Sequence, residues 1–301
     1  MELLVPRFEI WNQGDTLEDM WKHIARCTRV CYQSEKKDNN ETEEQFVKRV
    51  ILRNEPWNSE KNHLAMLEHG TIYLKIPYRE IYGWFIFNPY SKTKLEDGFL
   101  YITTNFRVII ENKVLKVMDY ICAPTEHHAR RVTVSFTTNI GVTREFNRHR
   151  VNSIAEESTR YCNYNKRNDG QIKIGLPSWL LNEENMPYIE SHQFDKLSSY
   201  CEDILGNENL IDNWCDIDYY LFSLTVSEFC YNALIEKGWK PQQAREVLPL
   251  ATKSQLIHTA FVDDWKHFFA LRADGVSGPA HPNAKLIAQP LKEEFIKQGI
   301  I

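Results

Sequence analysis

Apolar positions recur along this chain with two different periods. Leu17, Met20, Trp21, Ile24 and Ala25 fall at helical spacing within residues 16–31, and Phe46, Val47, Val50 and Ile51 do the same within 41–52. Two helices are predicted there. The period then shortens: Thr71-Ile72-Tyr73-Leu74-Lys75-Ile76 predicts a strand, as do residues 99–103, 106–110 and 132–136. Glu96-Asp97-Gly98 predicts a turn before the second strand, and Asn112-Lys113 one after the third. Helical spacing returns at 142–150, 188–205, 214–237, 242–247, 263–271 and 283–297. Gly238 is placed to stop one of these helices and Pro241 to start the next. Strands crowd the first half and helices the second, which predicts an α+β fold rather than a doubly wound sheet. No shift in composition marks a boundary, so residues 1–301 are expected to form one domain.

Composition narrows the function classes. With 43% hydrophobic and 26% charged residues, the 301-residue chain has ample material for a core. A net charge of -5 argues against a general nucleic-acid surface, which needs a basic face, but leaves room for a local basic pocket. Seven cysteines without a CxxC pair read as reduced thiols. The first residues lack the pattern of a signal peptide, and no apolar run approaches the ~20 residues that span a bilayer. A cytoplasmic protein without membrane attachment is expected.

The chemistry concentrates in one stretch. Residues 144–160 hold four arginines (Arg144, Arg148, Arg150, Arg160), His149, three acids (Glu145, Glu156, Glu157) and two serines (Ser153, Ser158). Guanidinium forks match phosphate oxygens two at a time, and a serine hydroxyl can complete such a cradle. The plain alternative is a solvated helix end laced with ion pairs. No GxGxxG, P-loop or GxSxG signature is present.

The order of these residues favours the cradle. Arg148-His149-Arg150, seven residues, then Ser158 resembles the signature of the flavin-dependent thymidylate synthases, also called the thymidylate synthase complementing protein family. Further stretches resemble that family in the same order. Arg29-Val30-Cys31-Tyr32 lies near its "RVS[FY]", and His63-Leu64-Ala65-Met66-Leu67-Glu68-His69 near its "HxSPFEH". Ala244-Arg245-Glu246-Val247-Leu248-Pro249 matches "ARxVLP", and Trp265-Lys266-His267-Phe268-Phe269-Ala270-Leu271-Arg272 resembles "WxHFxxLR".

The resemblance implies an enzyme that converts dUMP to dTMP, with methylenetetrahydrofolate as carbon donor, FAD as hydride carrier and NADPH as reductant. It implies a homotetramer with active sites shared between subunits, and an α+β fold whose antiparallel or mixed sheet is flanked by long helices. Arg148, Glu156, Ser158, Arg160 and Arg245 fall on the family's dUMP-binding positions, with Ser158 and Arg160 on the phosphate. Arg272 falls where the family contacts the uracil ring and stabilises charge on its carbonyl oxygen. Cys31, His63, Glu68, His149, Arg150 and His267 are the expected cofactor contacts. No metal is implied.

Several positions depart from the family pattern. Ala65, Met66, Glu145 and Ala155 replace residues of other types, and Ser277–Pro282 replaces a downstream motif. In Thr259-Ala260-Phe261-Val262-Asp263-Asp264-Trp265, Phe261 stands for an Asn and Asp263 for an Arg that contact FAD in the family. A carboxylate beside an anionic diphosphate is unfavourable; a compensating cation is expected from His267 or Lys266. Residues from roughly 78 to 130 form an extra block, and either flanking strand could be the family's own. These departures keep open a dUMP-binding member with altered C5 chemistry or lost flavin-dependent activity, and also a non-catalytic nucleotide-binding protein.

Three other clusters read as ordinary packing, with flavin contact a further reading for His63, Glu68 and His69. His63, Glu68 and His69, and likewise Cys122, His127 and His128, lack a zinc-ligand spacing. Trp214, Tyr219, Tyr220 and Phe222 fall at core-helix spacing.

Overall fold

A computed structural model describes residues 1–34, 40–57, 59–80, 88–166, 170–191 and 214–301. Its frame is a four-stranded antiparallel sheet in the order β2-β6-β9-β7, formed by β2 (Arg7–Trp11), β6 (Arg131–Asn139), β7 (Ser153–Glu156) and β9 (Lys253–Phe261). β6 and β9 pair along their whole length, from Arg131 opposite Phe261 to Asn139 opposite Lys253. A second sheet, β3-β5-β4, is a meander-like hairpin set of β3 (Thr71–Pro77), β4 (Lys92–Glu96) and β5 (Phe99–Asn105). β1 (Glu2–Leu4) pairs in parallel with β8 (Lys173–Gly175).

Helices cover both faces of the central sheet. α1 (Leu17–Tyr32) starts in a capping box of Thr16 and Asp19. α2 (Glu43–Val50) starts the same way, from Thr42 and Gln45. α1 carries Met20, Trp21 and Ile24 into a core shared with α2, β3, β5 and α3 (Phe106–Glu111), and turns Cys27 and Val30 toward Ala155 and Ile257 of the central sheet. The opposite face packs against α4 (Ile140–Phe146), α8 (Val262–Arg272) and α9 (Pro282–Lys297), through Phe136, Phe146, Trp265, Phe268, Phe269 and Phe295. Between these lie α5 (Asn185–Ser191), α6 (Asp216–Glu236) and α7 (Pro241–Ala244). Among the described residues no helix is long and apolar enough to cross a membrane.

The α+β architecture, with antiparallel sheets and long flanking helices, agrees with the expectation, but three details do not. Strands are not confined to the first half: β9 is one of the two inner strands of the main sheet. Its residues are buried on both faces, so no polar-apolar alternation announces it. Residues 106–111 form a helix, not a strand, because the Asn105 side chain caps it by accepting the Val108 N–H at 3.1 Å. α4 ends at Phe146, so Arg148–Arg150 lie in turns rather than on a helix. Gly238, at φ 93, follows α6 as expected. Asp97 and Gly98, at φ 49 and 76, make the turn between β4 and β5. Beyond Ser191 the expected helix 188–205 lies outside the described residues. Tyr219, expected in the core, is exposed, because α6 buries Ile217, Leu221, Leu224 and Tyr231 instead.

A buried polar layer runs between α1 and the sheet. His23 Nε2 meets Thr133 Oγ1 at 3.0 Å, Thr133 meets Thr259 Oγ1 at 2.7 Å, and Thr259 meets His69 Nδ1 at 2.8 Å. On the opposite face of the sheet, beside Phe136 and Phe146, Asn152 Nδ2 contacts His258 Nδ1 at 3.2 Å. Burial pushes His23 and His258 down to about 3, and His69 well below the ordinary imidazole value. These rings stay neutral in the folded chain, whereas the unfolded chain binds protons once pH falls below about 6.5. Their contribution is therefore fully present above that pH and is lost as pH falls toward about 3. A melting temperature that drops steeply below about pH 6.5 is expected. A flat thermal-unfolding profile from neutral to mildly acidic pH would contradict this account.

Candidate active site

The Arg-His-Arg stretch emerges where α4 stops and leads directly into β7. β7 is an edge strand, so the residues on either side of it face an open rim of the sheet. The loop after β7 is tied down by α1: the Ser158 backbone N–H donates to the Cys31 carbonyl at 3.0 Å. α7 and the short turn after it approach from the other side. Arg245 Nη1 donates to Thr159 Oγ1 at 3.4 Å, and Arg160 Nε to Gln242 Oε1 at 3.1 Å. The segments of Ser158 and Arg160 and of Arg245, some 85 residues apart in sequence, are thus brought together.

Glu156 lies beneath it. Its carboxylate accepts Asn147 Nδ2 at 2.8 Å and Ser254 Oγ at 2.9 Å, both neutral donors. Cys31 lies close by, and burial followed by the Glu156 charge pushes its thiol up, so it stays protonated. Glu157 points the other way, into a buried ion pair with Lys253 and a 3.3 Å contact from the Tyr164 hydroxyl. Adjacent carboxylates therefore divide, one held by neutral groups at the site and one spent on structure.

Arg272 closes the opposite side. Its Nη1 donates to Glu145 Oε2 at 2.9 Å, its Nη2 to the Glu145 carbonyl at 2.8 Å, and its Nε to His149 Nε2 at 3.3 Å. His149 is buried, and burial, with the Arg272 and His267 charges, pushes it down to about 4. The ring is neutral at pH 7, which lets its Nε2 accept. His267 is exposed, with its ring 5.8 Å from that of His149. Arg148 acts on Arg272 as a like charge. Arg148, Arg150 and Arg160 are exposed, and among the described residues none of them has a carboxylate within ion-pair distance. Three exposed arginines of one chain segment without a carboxylate partner among the described residues, in a chain of net charge -5, make this part of the surface locally positive.

The remaining expected cofactor residues are engaged within the chain. His63 is exposed and contacts Arg53. Glu68 forms an ion pair with Arg107 at 2.5 Å. Phe261 is buried, its ring lying between Lys92 Nζ at 4.9 Å and the Arg131 guanidinium at 5.5 Å. Asp263 pairs with Lys92 at 2.6 Å, and its carboxyl is held below the ordinary value first by that hydrogen bond. Lys266 is farther off, at 4.0 Å. The cation facing Asp263 thus comes from β4, not from His267. The charge there is balanced rather than positive, so these residues do not fit a flavin diphosphate at that position.

Sequence reasoning passed over Gln242, Thr159, Asn147 and Ser254, which hold the expected residues in place. Gln242 stands three residues before the matched Arg245, a signal that was available. Ser254 had none, because β9 was not legible.

The thymidylate synthase complementing protein family matches residues 109–298, well over half of the chain. The chain belongs to this family. Among solved structures it is similar to a UMP/dUMP methylase, PolB, from Streptomyces cacaoi, determined with 5-Br dUMP bound. That similarity is at 14% identity, over 99% of this chain and 93% of that one, with a TM-score of 0.42. No curated protein matches the sequence. Within the family segment, Glu145 stands out as the anchor of Arg272. Glu145→Gln, which keeps the carbonyl bond but removes the ion pair, is expected to cost about 1–3 kcal/mol of stability. Urea denaturation measures it, and an unchanged midpoint would mean that the carboxylate does not hold Arg272.

Proposed function

We propose that this protein is a pyrimidine-nucleotide C5-methylating enzyme that acts on dUMP. The observation that carries this reading is the rim of Arg148, Arg150 and Arg160, without a carboxylate partner among the described residues, beside Ser158 and Arg245. A nucleotide monophosphate is about a dianion at pH 7, and charge-assisted bonds from guanidinium groups are the strong ones. In this reading Ser158, Arg160 and Arg245 bind the phosphate. Glu156, oriented by Asn147 and Ser254, accepts a hydroxyl or ring N–H. Arg272, fixed by Glu145 and His149, directs its two remaining N–H groups at the base and steadies negative charge on a carbonyl oxygen. Among the described residues Ser158 has no histidine–acid pair to activate it, so its role in this reading is binding.

The test of the phosphate cradle is titration calorimetry with dUMP and with deoxyuridine. dUMP is expected to bind roughly a hundredfold more tightly or better, since two or more charge-assisted contacts of about 1.5–3 kcal/mol each are at stake. Equal affinities would remove the basis of the proposal.

Family membership supports a finer reading: reductive methylation to dTMP, with methylenetetrahydrofolate as carbon donor, NADPH as reductant, FAD between them, and a homotetramer with shared sites. Cys31, His63, Glu68, His149, Arg150 and His267 are the residues this reading assigns to cofactors. A second reading, in which dUMP binding persists but flavin chemistry is altered or lost, is favoured by the Lys92–Asp263 pair over buried Phe261. Asp263 and Lys92 are exposed enough that the pair adds little to stability, so the position can be altered without unfolding the chain. Wild-type protein is expected to lose most FAD during purification. Asp263→Asn, which removes the carboxylate and frees Lys92, is expected to tighten FAD by about tenfold. Flavin absorbance after gel filtration reads both. Stoichiometric flavin in the wild type would favour the finer reading, and flavin absent from both proteins would favour the second.

A further inference from the structure

A cleft of about 630 Å³ opens where the loop after β2 meets the start of β6. It shares no residue with the arginine rim, and its size suits a ligand of nucleotide dimensions. Gln13, Asp15, Thr71, Tyr73, Arg130 and Arg131 are among its walls.

At its base lies a charge without a counter-ion. The Arg131 guanidinium donates only to neutral oxygens: Thr71 Oγ1 at 3.1 Å, the Glu68 carbonyl at 3.1 Å and Ser153 Oγ at 3.0 Å. Its Nε is sealed from solvent and has no hydrogen-bond acceptor. Among the described residues no carboxylate lies within ion-pair distance of it. The Glu68 and Asp264 carboxylates act on it only from farther away, and Glu68 is already bound to Arg107. Desolvation pushes Arg131 down to about 10, still fully charged at pH 7. Arg130, the preceding residue, is exposed and also lacks a carboxylate partner among the described residues. The Tyr73 hydroxyl lies within electrostatic reach of both arginines and of Asp15. A half-buried guanidinium held only by neutral oxygens is a costly arrangement for a fold to keep. Two arginines against one carboxylate leave the cleft positive in a chain that is negative overall.

We propose that this cleft is a second anion site, taking a phosphate or carboxylate group of a nucleotide-sized ligand on Arg130 and Arg131. The hydroxyls of Tyr73 and Thr71 line the same wall and can donate to the bound group. The site does not depend on the dUMP reading, because none of its groups belongs to the arginine rim.

The test uses the full chain carrying Arg160→Ala and Arg245→Ala, so that the other phosphate candidate is removed. Inorganic pyrophosphate and succinate are titrated by calorimetry, and the tighter of the two identifies the chemistry as phosphate or carboxylate. Adding Arg130→Ala is expected to weaken that ligand roughly ten- to a hundredfold. Arg131→Gln, which keeps a hydrogen-bond donor and drops the charge, is expected to abolish binding while leaving the melting temperature unchanged or raised. The proposal is overturned if neither anion binds, or if binding is indifferent to both substitutions. It is also overturned if Arg131→Gln lowers the melting temperature without changing affinity, since the arginine is then a structural stitch.

Discussion

The pairing of β6 with β9 is the constraint on which the rest of the molecule depends. These two strands run antiparallel through nine residues each and are covered on both faces. One face takes the aromatic core of α4, α8 and α9; the other takes α1 and the histidine–threonine layer. Because both faces are filled, the register cannot slip by one residue without exchanging Phe136 and Val134 for Thr133 and Ser135. That register places β7 on the open edge of β9, with the arginine rim beside it. It also sets Ser254 beside Glu156 and brings α8 out at the height where Arg272 reaches Glu145.

Charge is distributed unevenly over this frame. Glu145 and His149 engage Arg272, and Glu157 engages Lys253, so these charges are neutralised or fixed inside the chain. Among the described residues, Arg148, Arg150 and Arg160 are left without carboxylates on the rim, and Arg130 and Arg131 in the cleft. Within a chain of net charge -5, these two places each gather more than one such arginine. Desolvation and pairing, rather than the number of arginines, decide which guanidinium groups remain available to a ligand.

The second sheet alters the chemistry expected beside α8. Lys92 on β4 reaches Asp263 at the start of that helix, and the buried ring of Phe261 packs beneath it. A position read as a lost cofactor contact is instead an ion pair between two parts of the fold. Cation, carboxylate and ring satisfy one another, and little net charge remains there for a dinucleotide.

The sequence by itself determined the family, through five short stretches in the right order, and the residues of the rim, because arginines near a serine carry their chemistry in their type. It also determined the amphipathic elements α1, α2, β3, β5 and α9, whose polar faces meet water and so leave a period in the chain. Only the tertiary structure decided the rest. β9 is buried on both sides and writes no alternation, and residues 106–111 look like a strand until Asn105 caps them. Gln242, Asn147 and Ser254 became legible as supports only once distant segments met. The Lys92–Asp263 pair spans 171 positions, and no local pattern encodes it. Spacing along a chain reports which residues meet solvent, whereas the pairing of charges depends on distances that only the packed molecule sets.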